Sequence, residues 1–374
     1  MSEEIQMENP SNLQEGGLKE VKGSSIKDFL KEYKYETLLI LICFGAIVFK
    51  LWNNHSYFNF MNYFVNKENP DNIDLVYTWV DGSDKNWLEK KNKYSINRTK
   101  INDNTRFTSI DELKYSLRGV YKYSQWINNI YIVVDDDQKP NWLNLNHPKI
   151  HLIKHSQIFE NKEDLPTFNS HSIESNLHNI PGLSENYLYL NDDMFFGNHT
   201  TKNDFISIGG KLSYYSDRSN CLFNLDSITE SKYNGYYGAW NKSQSLLYEQ
   251  LNIKPRCQWH FAIILKKSHF TEVKNIFPEE FKNTSNSKFR NKTDIVPNGI
   301  AYQYGLNKGD YEIKRSLSNS LVDARYDPKY IFFGLRNILE TRPKIFCINN
   351  VTNYNPTIIQ FLDLYYPNKS PYEI

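Results

Sequence analysis

The sequence predicts an α/β fold: a mainly parallel sheet with helices on both faces, preceded by one transmembrane helix. Three observations carry this. Short runs rich in β-branched and aromatic residues alternate with segments of helical periodicity, the pattern of strands joined by helical crossovers. Several of the strand-like runs end on acidic or Asp-Gly clusters. One apolar run near the N-terminus carries no charge and is bracketed by lysines.

Taken in order, residues 1–34 are polar and rich in Glu, Ser and Gly, and read as a disordered cytosolic tail. Thr37 to Phe49 is the charge-free run, lying between Lys34 and Lys50. Extended over residues 35–52, with Tyr35 and Trp52 as interfacial aromatics, it reaches the lower end of the roughly 17 to 25 residues that a spanning helix needs. Lys19, Lys22, Lys27, Lys31 and Lys34 all precede it. The positive-inside rule then predicts a single-pass type II anchor, a stem over 53–70 and a lumenal domain over 71–374, and the short span suits an ER or Golgi membrane. The Asn-x-Ser/Thr tripeptides from Asn97 to Asn368 add weak support for a lumenal domain, since an Asn-rich chain generates them by chance.

Ile73 to Val80 reads as the first strand and stops at Asp81-Gly82. Ser109-x-x-Glu112 reads as a capping box, followed by Ile110, Leu113, Leu117, Val120 and Tyr121 at helical spacing. Ile130–Val134, Ile150–Ile153 and Tyr187–Leu190 are further strands, and Ile173, Leu177 and Ile180 mark a short helix stopped by Pro181-Gly182. Later, Lys266 to Phe277 is helical and Asn283 to Gly299 turn-rich.

Composition narrows the function. The 374 residues include 44 basic and 43 acidic side chains, a net charge of +1. That is enough chain for a large core and no global field for a polyanion, so nucleic acid is not expected as a partner. The 27 Tyr and 22 Phe suit a core and also sugar stacking. Cys43 lies in the apolar run, and Cys221, Cys257 and Cys347 allow at most one intrachain disulfide, with no zinc spacing.

Ligands of open α/β sheets bind outside the carboxyl ends of the strands. Three acidic clusters follow predicted strands: Asp81 to Asp84, Asp135 to Asp137, and Asn191-Asp192-Asp193. Such carboxylates could hold a hard divalent cation, Mg2+ or Mn2+, against a diphosphate. Turn chemistry is the plainer reading of Asp135 to Asp137. Asp192 and Asp193 differ, because they sit between an apolar strand and Met194-Phe195-Phe196, where carboxylates need a partner. They are the predicted metal ligands.

The segment Ile73-Asp-Leu-Val-Tyr-Thr-Trp-Val-Asp-Gly-Ser-Asp84 resembles the first conserved region of the Stealth family. Arg106 to Arg118, Leu165 to His178 and Tyr189 to Gly197 resemble its second region. His260, Phe277 to Phe281 and Phe289-Arg290 resemble the third, and Phe346 to Asn349 with the Tyr366 to Glu373 tail resembles a degraded fourth. The resemblance implies a fold related to nucleotide-sugar transferases of the GT-A type. It also implies an enzyme that moves a sugar-1-phosphate, GlcNAc-1-phosphate from UDP-GlcNAc foremost, onto a hydroxyl of a glycan or glycoprotein and releases UMP. By motif position it assigns catalysis to Glu174, Asp193, His260 and Arg290, and donor binding to Asp74, Tyr77, Trp79, Asp81, Gly82 and Arg106. Asn350 stands where the fourth region commonly has Asp, so no role is carried to it. The large inserted modules of the animal lysosomal-enzyme phosphotransferases have no counterpart here, and self-association is left open.

Phosphoryl transfer demands positioning and charge neutralisation. An Arg290 fork suits a phosphate oxygen, and a neutral His260 could take the proton of the attacking hydroxyl. Glu174 shares a helical face with His171 and His178, and the base stays open between His260, Glu174 and Asp193. Two other readings compete: a metal-dependent glycosyltransferase that releases UDP, and a non-catalytic glycan-binding protein that keeps the fold.

Overall fold

The structure, a computed structural model, describes residues 72–95, 107, 109–207, 209–216, 235–256, 260–314, 317–351 and 355–374. Its first half builds one sheet. Strands β1 (Ile73–Thr78), β2 (Ile130–Val134), β3 (Ile150–Lys154) and β4 (Asn186–Asn191) are parallel, and β7 (Ile263–Lys266) closes the edge antiparallel to β4, in the order β3-β2-β1-β4-β7. β2 is buried along its whole length and β1 and β4 nearly so. Parallel strands covered on both faces read as unbroken apolar runs for this reason.

Two small sheets follow. β5 (Met194–Phe196), β9 (Asn319–Asp323) and β10 (Ile345–Asn349) form one in the order β5-β10-β9. β6 (Leu212–Tyr215) and β8 (Tyr311–Lys314) form the other. The helices are α1 (Lys85–Ser95), α2 (Glu112–Tyr123), α3 (His155–Ile158), α4 (Ser170–Glu174), α5 (Lys202–Phe205), α6 (Gly235–Leu251), α7 (Lys267–Ile276), α8 (Pro278–Asn286), α9 (Pro297–Lys308), α10 (Pro328–Thr341) and α11 (Pro356–Tyr365).

Several expectations need correction. The sheet is mainly parallel, but the whole is a mixed α/β fold with the two added sheets. Among the described residues no helix is long and apolar enough to cross a membrane. The transmembrane helix expected over 35–52, and with it the single-pass membrane partner, is not supported by the structure: that segment lies outside the described residues. Helix α2 begins at Glu112 instead of after Ser109, because the Glu112 carboxylate accepts from the Ser109 hydroxyl (2.9 Å) and the Ile110 amide (2.8 Å). Part of the stretch read as turns is helical, since α8 runs through Asn286 and α9 opens at Pro297.

The chain runs from β1 outward to β2 and β3, then returns to the other side of β1 as β4. That reversal is a topological switch point, and it leaves a crevice beyond the carboxyl ends of β1 and β4. Thr78 pairs with Asn191, so Trp79 to Asp81 and Asp192-Asp193 leave the sheet side by side. Packing behind the crevice is aromatic. Phe195 stacks on Phe346 with centroids 4.9 Å apart, and Tyr365 and Tyr366 hydroxyls donate to the Gly197 and Phe196 carbonyls at 2.9 Å each. A Cβ on Gly119 of α2 would stand 2.8 Å from the Phe196 carbonyl, so only glycine allows α2 this close to β5. The C-terminal tail is tied down by Arg118, whose fork grips Glu373 at 2.9 and 2.7 Å.

Candidate active site

At the end of β1 the acidic cluster performs turn chemistry. The Asp81 carboxylate accepts from the Ser83 amide (2.8 Å), while the Asp81 main chain exchanges hydrogen bonds with the Gln138 side chain at 3.0 and 2.8 Å. Asp84 caps α1 through the Trp87 amide at 2.7 Å. A Cβ on Gly82 would fall 1.8 Å from the Phe107 carbonyl oxygen, so this position requires glycine. The second cluster is also engaged: Lys90 pairs with Asp135 and Asp137 at 2.8 Å each, and Asp136 accepts from the Ser156 amide and hydroxyl.

The third cluster behaves differently. β4 turns at Asp192-Asp193 directly into β5, and β5 lies antiparallel to β10 with Met194 opposite Cys347. The Ile348 amide donates to the Asp193 carbonyl at 3.1 Å, which fixes Cys347 beside the Asp193 carboxylate. Asp193 retains some exposure, yet its Oδ1 is buried without a hydrogen-bond partner. Burial first, then the charge of Glu112, pushes the Asp193 carboxyl up to about 7, against a hydrogen bond from Cys347 that lowers it. Burial, Glu112 and Asp193 raise Asp192 as well. Burial and neighbouring charge hold the three crowded carboxyls of Glu112, Asp192 and Asp193 above their ordinary values.

Oxygen, nitrogen and sulfur donors of Asp193, His260 and Cys347 all lie within 4.8 Å of one another. Crowding in the cleft and the Arg290 charge hold the His260 imidazole down, at about 4, so it is neutral near pH 7 although the residue meets solvent. The Cys347 thiol is raised by burial and by Asp193 and is protonated. An orphaned carboxylate oxygen beside a neutral imidazole fits a divalent ion. Asp192 lies outside this triad.

Glu174 and Arg290 form the other half. Glu174 ends α4, is buried, and accepts from the Tyr189 hydroxyl at 3.2 Å. Burial raises its carboxyl to about 7, opposed by Arg290 and Tyr189. Arg290 donates to Ser170 Oγ from Nε (3.2 Å) and Nη2 (2.6 Å), with its guanidinium 5.6 Å from the centroid of Tyr236. The Arg290 loop is clamped onto the segment before α4: the Phe168 amide donates to the Lys288 carbonyl (2.7 Å), Asn169 Nδ2 to Asp294 (2.9 Å), and Phe168 stacks on Phe289. His171, Glu174 and His178 are all buried, and a 3-10 turn over Leu177–Asn179 replaces the single helix expected through Ile180.

The structure therefore groups Asp193 with His260, and Glu174 with Arg290. The Arg290 charge reaches both Glu174 and His260. Other predicted residues lie elsewhere. Asp74 is the second residue of β1, at the opposite end of the strand, buried and accepting from Asn128, Asn129 and Ser184 at 2.9, 3.0 and 2.7 Å. Tyr77 is fully buried, its hydroxyl 2.6 Å from Ser116 Oγ. Trp79 continues the β1 pairing through its amide to the Val133 carbonyl at 3.0 Å. Arg106, Cys221 and Cys257 lie outside the described residues, and Cys347 is a free thiol. Not anticipated from sequence were Cys347, Ser170, Tyr189 and Tyr236, none of which carries a signature outside its fold. A cavity of about 360 Å³ also opens among Lys90, Tyr94, Asp135, His155 and Pro166, where β2 and β3 end. His155 is buried there, with Nε2 lacking a hydrogen-bond partner.

Family models for Stealth protein conserved regions 1, 2 and 3 match residues 71–99, 106–213 and 260–304. The chain belongs to the Stealth family. This Stealth chain is 34% identical over 313 residues to an exopolysaccharide phosphotransferase of Streptomyces coelicolor, covering 80% of this chain and 57% of that protein. It is 33% identical over 318 residues to the exopolysaccharide phosphotransferase CpsY of Mycobacterium tuberculosis, covering 80% and 58%. The alignments thus span little more than half the length of these relatives. Among solved structures it is similar to the galactosyltransferase LgtC (12% identity, TM-score 0.38, 80% of this chain and 97% of that one). It is also similar to mouse xyloside xylosyltransferase 1 (9%, TM-score 0.35, 76% and 100%). Likeness at that level carries no weight here, and the fold stands on its strand order.

Proposed function

We propose that this Stealth chain transfers a sugar-1-phosphate from a nucleotide-sugar to a glycan hydroxyl and releases a nucleoside monophosphate. The observation that carries the reading is the convergence on one switch-point crevice of an orphaned Asp193 oxygen, a neutral His260, and an Arg290 paired electrostatically with Glu174. These parts are suited to neutralising and positioning a diphosphate, which is most of what phosphoryl transfer requires. Curated relatives named exopolysaccharide phosphotransferases support a polysaccharide acceptor. GlcNAc-1-phosphate from UDP-GlcNAc is the first donor to test.

In this reading the acceptor oxygen bonds to the phosphorus that bears the sugar, the anhydride bond breaks, and the nucleoside monophosphate leaves. Arg290 offers its fork to the equatorial oxygens while Ser170 and Tyr236 hold the guanidinium in place. Glu174 takes the proton, because a carboxyl near 7 matches neutral pH and an imidazole near 4 is too weak a base. Asp193 and His260, with Cys347 in reach, would hold a divalent ion that offsets diphosphate charge. The mixed donors suit Mn2+ better than Mg2+, which prefers oxygen alone. The nucleoside fits the cavity beside His155, three strand spacings, about 14 Å, from the end of β4. Product analysis with UDP-GlcNAc and a glycan acceptor is decisive: UMP is expected, whereas UDP would establish glycosyl transfer at the anomeric carbon.

A further inference from the structure

A strip of exposed aromatic rings leads away from Arg290. Tyr236, whose ring lies under the Arg290 guanidinium, packs against Tyr237 with centroids 5.6 Å apart. Tyr237 is 47% exposed, Tyr326 58%, Tyr330 47% and Phe333 60%. The charge of Arg325 is felt by both Tyr237 and Tyr326. It does not swing freely, since its fork grips Asp323 through Nε–Oδ1 (3.0 Å) and Nη2–Oδ2 (2.6 Å). Tyr326 and Tyr330 lie 4.8 Å apart at 59°, and Phe333 follows Tyr330 by one turn of α10. Asp323 ends β9 opposite Asn349 of β10, so the strip is anchored on the strand that pairs with the one carrying Cys347.

We propose that the strip from Tyr237 through Arg325 to Tyr326, Tyr330 and Phe333 is the platform for the non-reacting part of a polymeric glycan acceptor. Pyranose rings present an apolar CH face, which stacks on an exposed aromatic ring, and a hydroxyl edge, which bonds to fixed charges such as Arg325 and Asp323. A second copy of the chain would favour a continuous apolar patch, and here Asp323, Arg325 and Lys329 interrupt the rings. The strip also begins at Arg290, where an acceptor hydroxyl must arrive. Remote contacts of this kind position the reacting group. The inference rests on the sugar-phosphate-transfer reading for its direction but not for its test.

The test compares the full chain with a Tyr326→Ala/Tyr330→Ala double variant by affinity electrophoresis in gels containing mannan, dextran or glycol chitin. Both positions are exposed, so folding should survive, and circular dichroism checks it. The expected result is retardation of the wild type by at least one polymer, and loss of that affinity in the variant on the order of tenfold, the scale of two ring contacts. The acceptor KM for long oligosaccharides of the retained sugar should rise in parallel, with kcat toward a monosaccharide unchanged. Equal mobility of wild type and variant in all three polymers, whether or not either is retarded, overturns the proposal. So does a variant that dissociates a wild-type oligomer, or stops binding anionic vesicles, while keeping polymer affinity. Polymer binding that depends on the rings, together with UDP as the product, would leave the platform standing and sink the transfer reading.

Discussion

At the scale of single residues, the two halves of the site predict different losses. Glu174 is held neutral up to about pH 7 by burial, so wild-type turnover should fall on the acid side of that value if Glu174 is the base. Glu174→Gln should abolish turnover; an acid limb that instead lies near pH 4 and disappears in His260→Ala would make His260 the base. Stability moves the opposite way. An unfolded Glu ionises near 4.5 while the folded one keeps its proton to about 7. Its contribution is therefore fully present below 4.5 and is lost as pH rises through 7, a cost of roughly 3 kcal/mol. Urea unfolding at pH 8 should accordingly find Glu174→Gln more stable than wild type. Arg290→Lys keeps charge but not the fork, and kcat should drop on the order of a hundredfold with donor affinity changed much less. Steady-state kinetics at saturating acceptor checks this.

At the scale of elements, two contacts aim the machinery. Ser170, the first residue of α4, receives both Arg290 bonds. Ser170→Ala should lower kcat on the order of tenfold while leaving the melting temperature nearly unchanged, and a variant with wild-type kcat would show that Tyr236 alone positions the arginine. β10 is held to β5 by Phe346, which stacks on Phe195 beside Tyr365 and Tyr366. Phe346→Ala should cost about 3–5 kcal/mol of stability in denaturant titrations, and it should weaken Mn2+ binding as Cys347 loses its place beside Asp193. Element boundaries also carried a legible signal that alternation alone passed over: Pro278, Pro297, Pro328 and Pro356 each open a helix. Proline at the first helical position lacks only an amide that the helix would leave unpaired anyway.

At the scale of the molecule, the order β3-β2-β1-β4-β7 places one crevice at the reversal between β1 and β4. The metal reading follows from it. Calorimetry should find a Mn2+ site in the wild type that is lost in Asp193→Asn, a change that removes a charge with little change in volume. Wild-type heats matching those of Asp193→Asn would remove the metal from the site. The later chain supplies what the first sheet lacks. The loop that carries Arg290 docks on the segment before α4, and β9 and β10 bring Asp323, Arg325 and Cys347 to the same side.

The sequence by itself determined the four parallel strands of the first sheet, because strands covered on both faces must be apolar throughout and that pattern is local, but it did not mark the antiparallel edge strand β7. It also determined the family, because ordered motifs survive in linear form, and by motif position it pointed to Glu174, Asp193, His260 and Arg290 as the candidate site. The membrane helix was a local reading too, and it falls on residues outside the described structure. Only the tertiary structure decided that Asp81 is spent on a turn and Asp135 on an ion pair with Lys90, while Asp193 keeps an orphaned oxygen. It alone set Cys347 against Asp193, across more than a hundred residues of chain. The reason is physical: burial and charge proximity, which set the pKa of a carboxyl and leave a donor unpaired, are properties of the space around a side chain and depend on residues far away in the sequence.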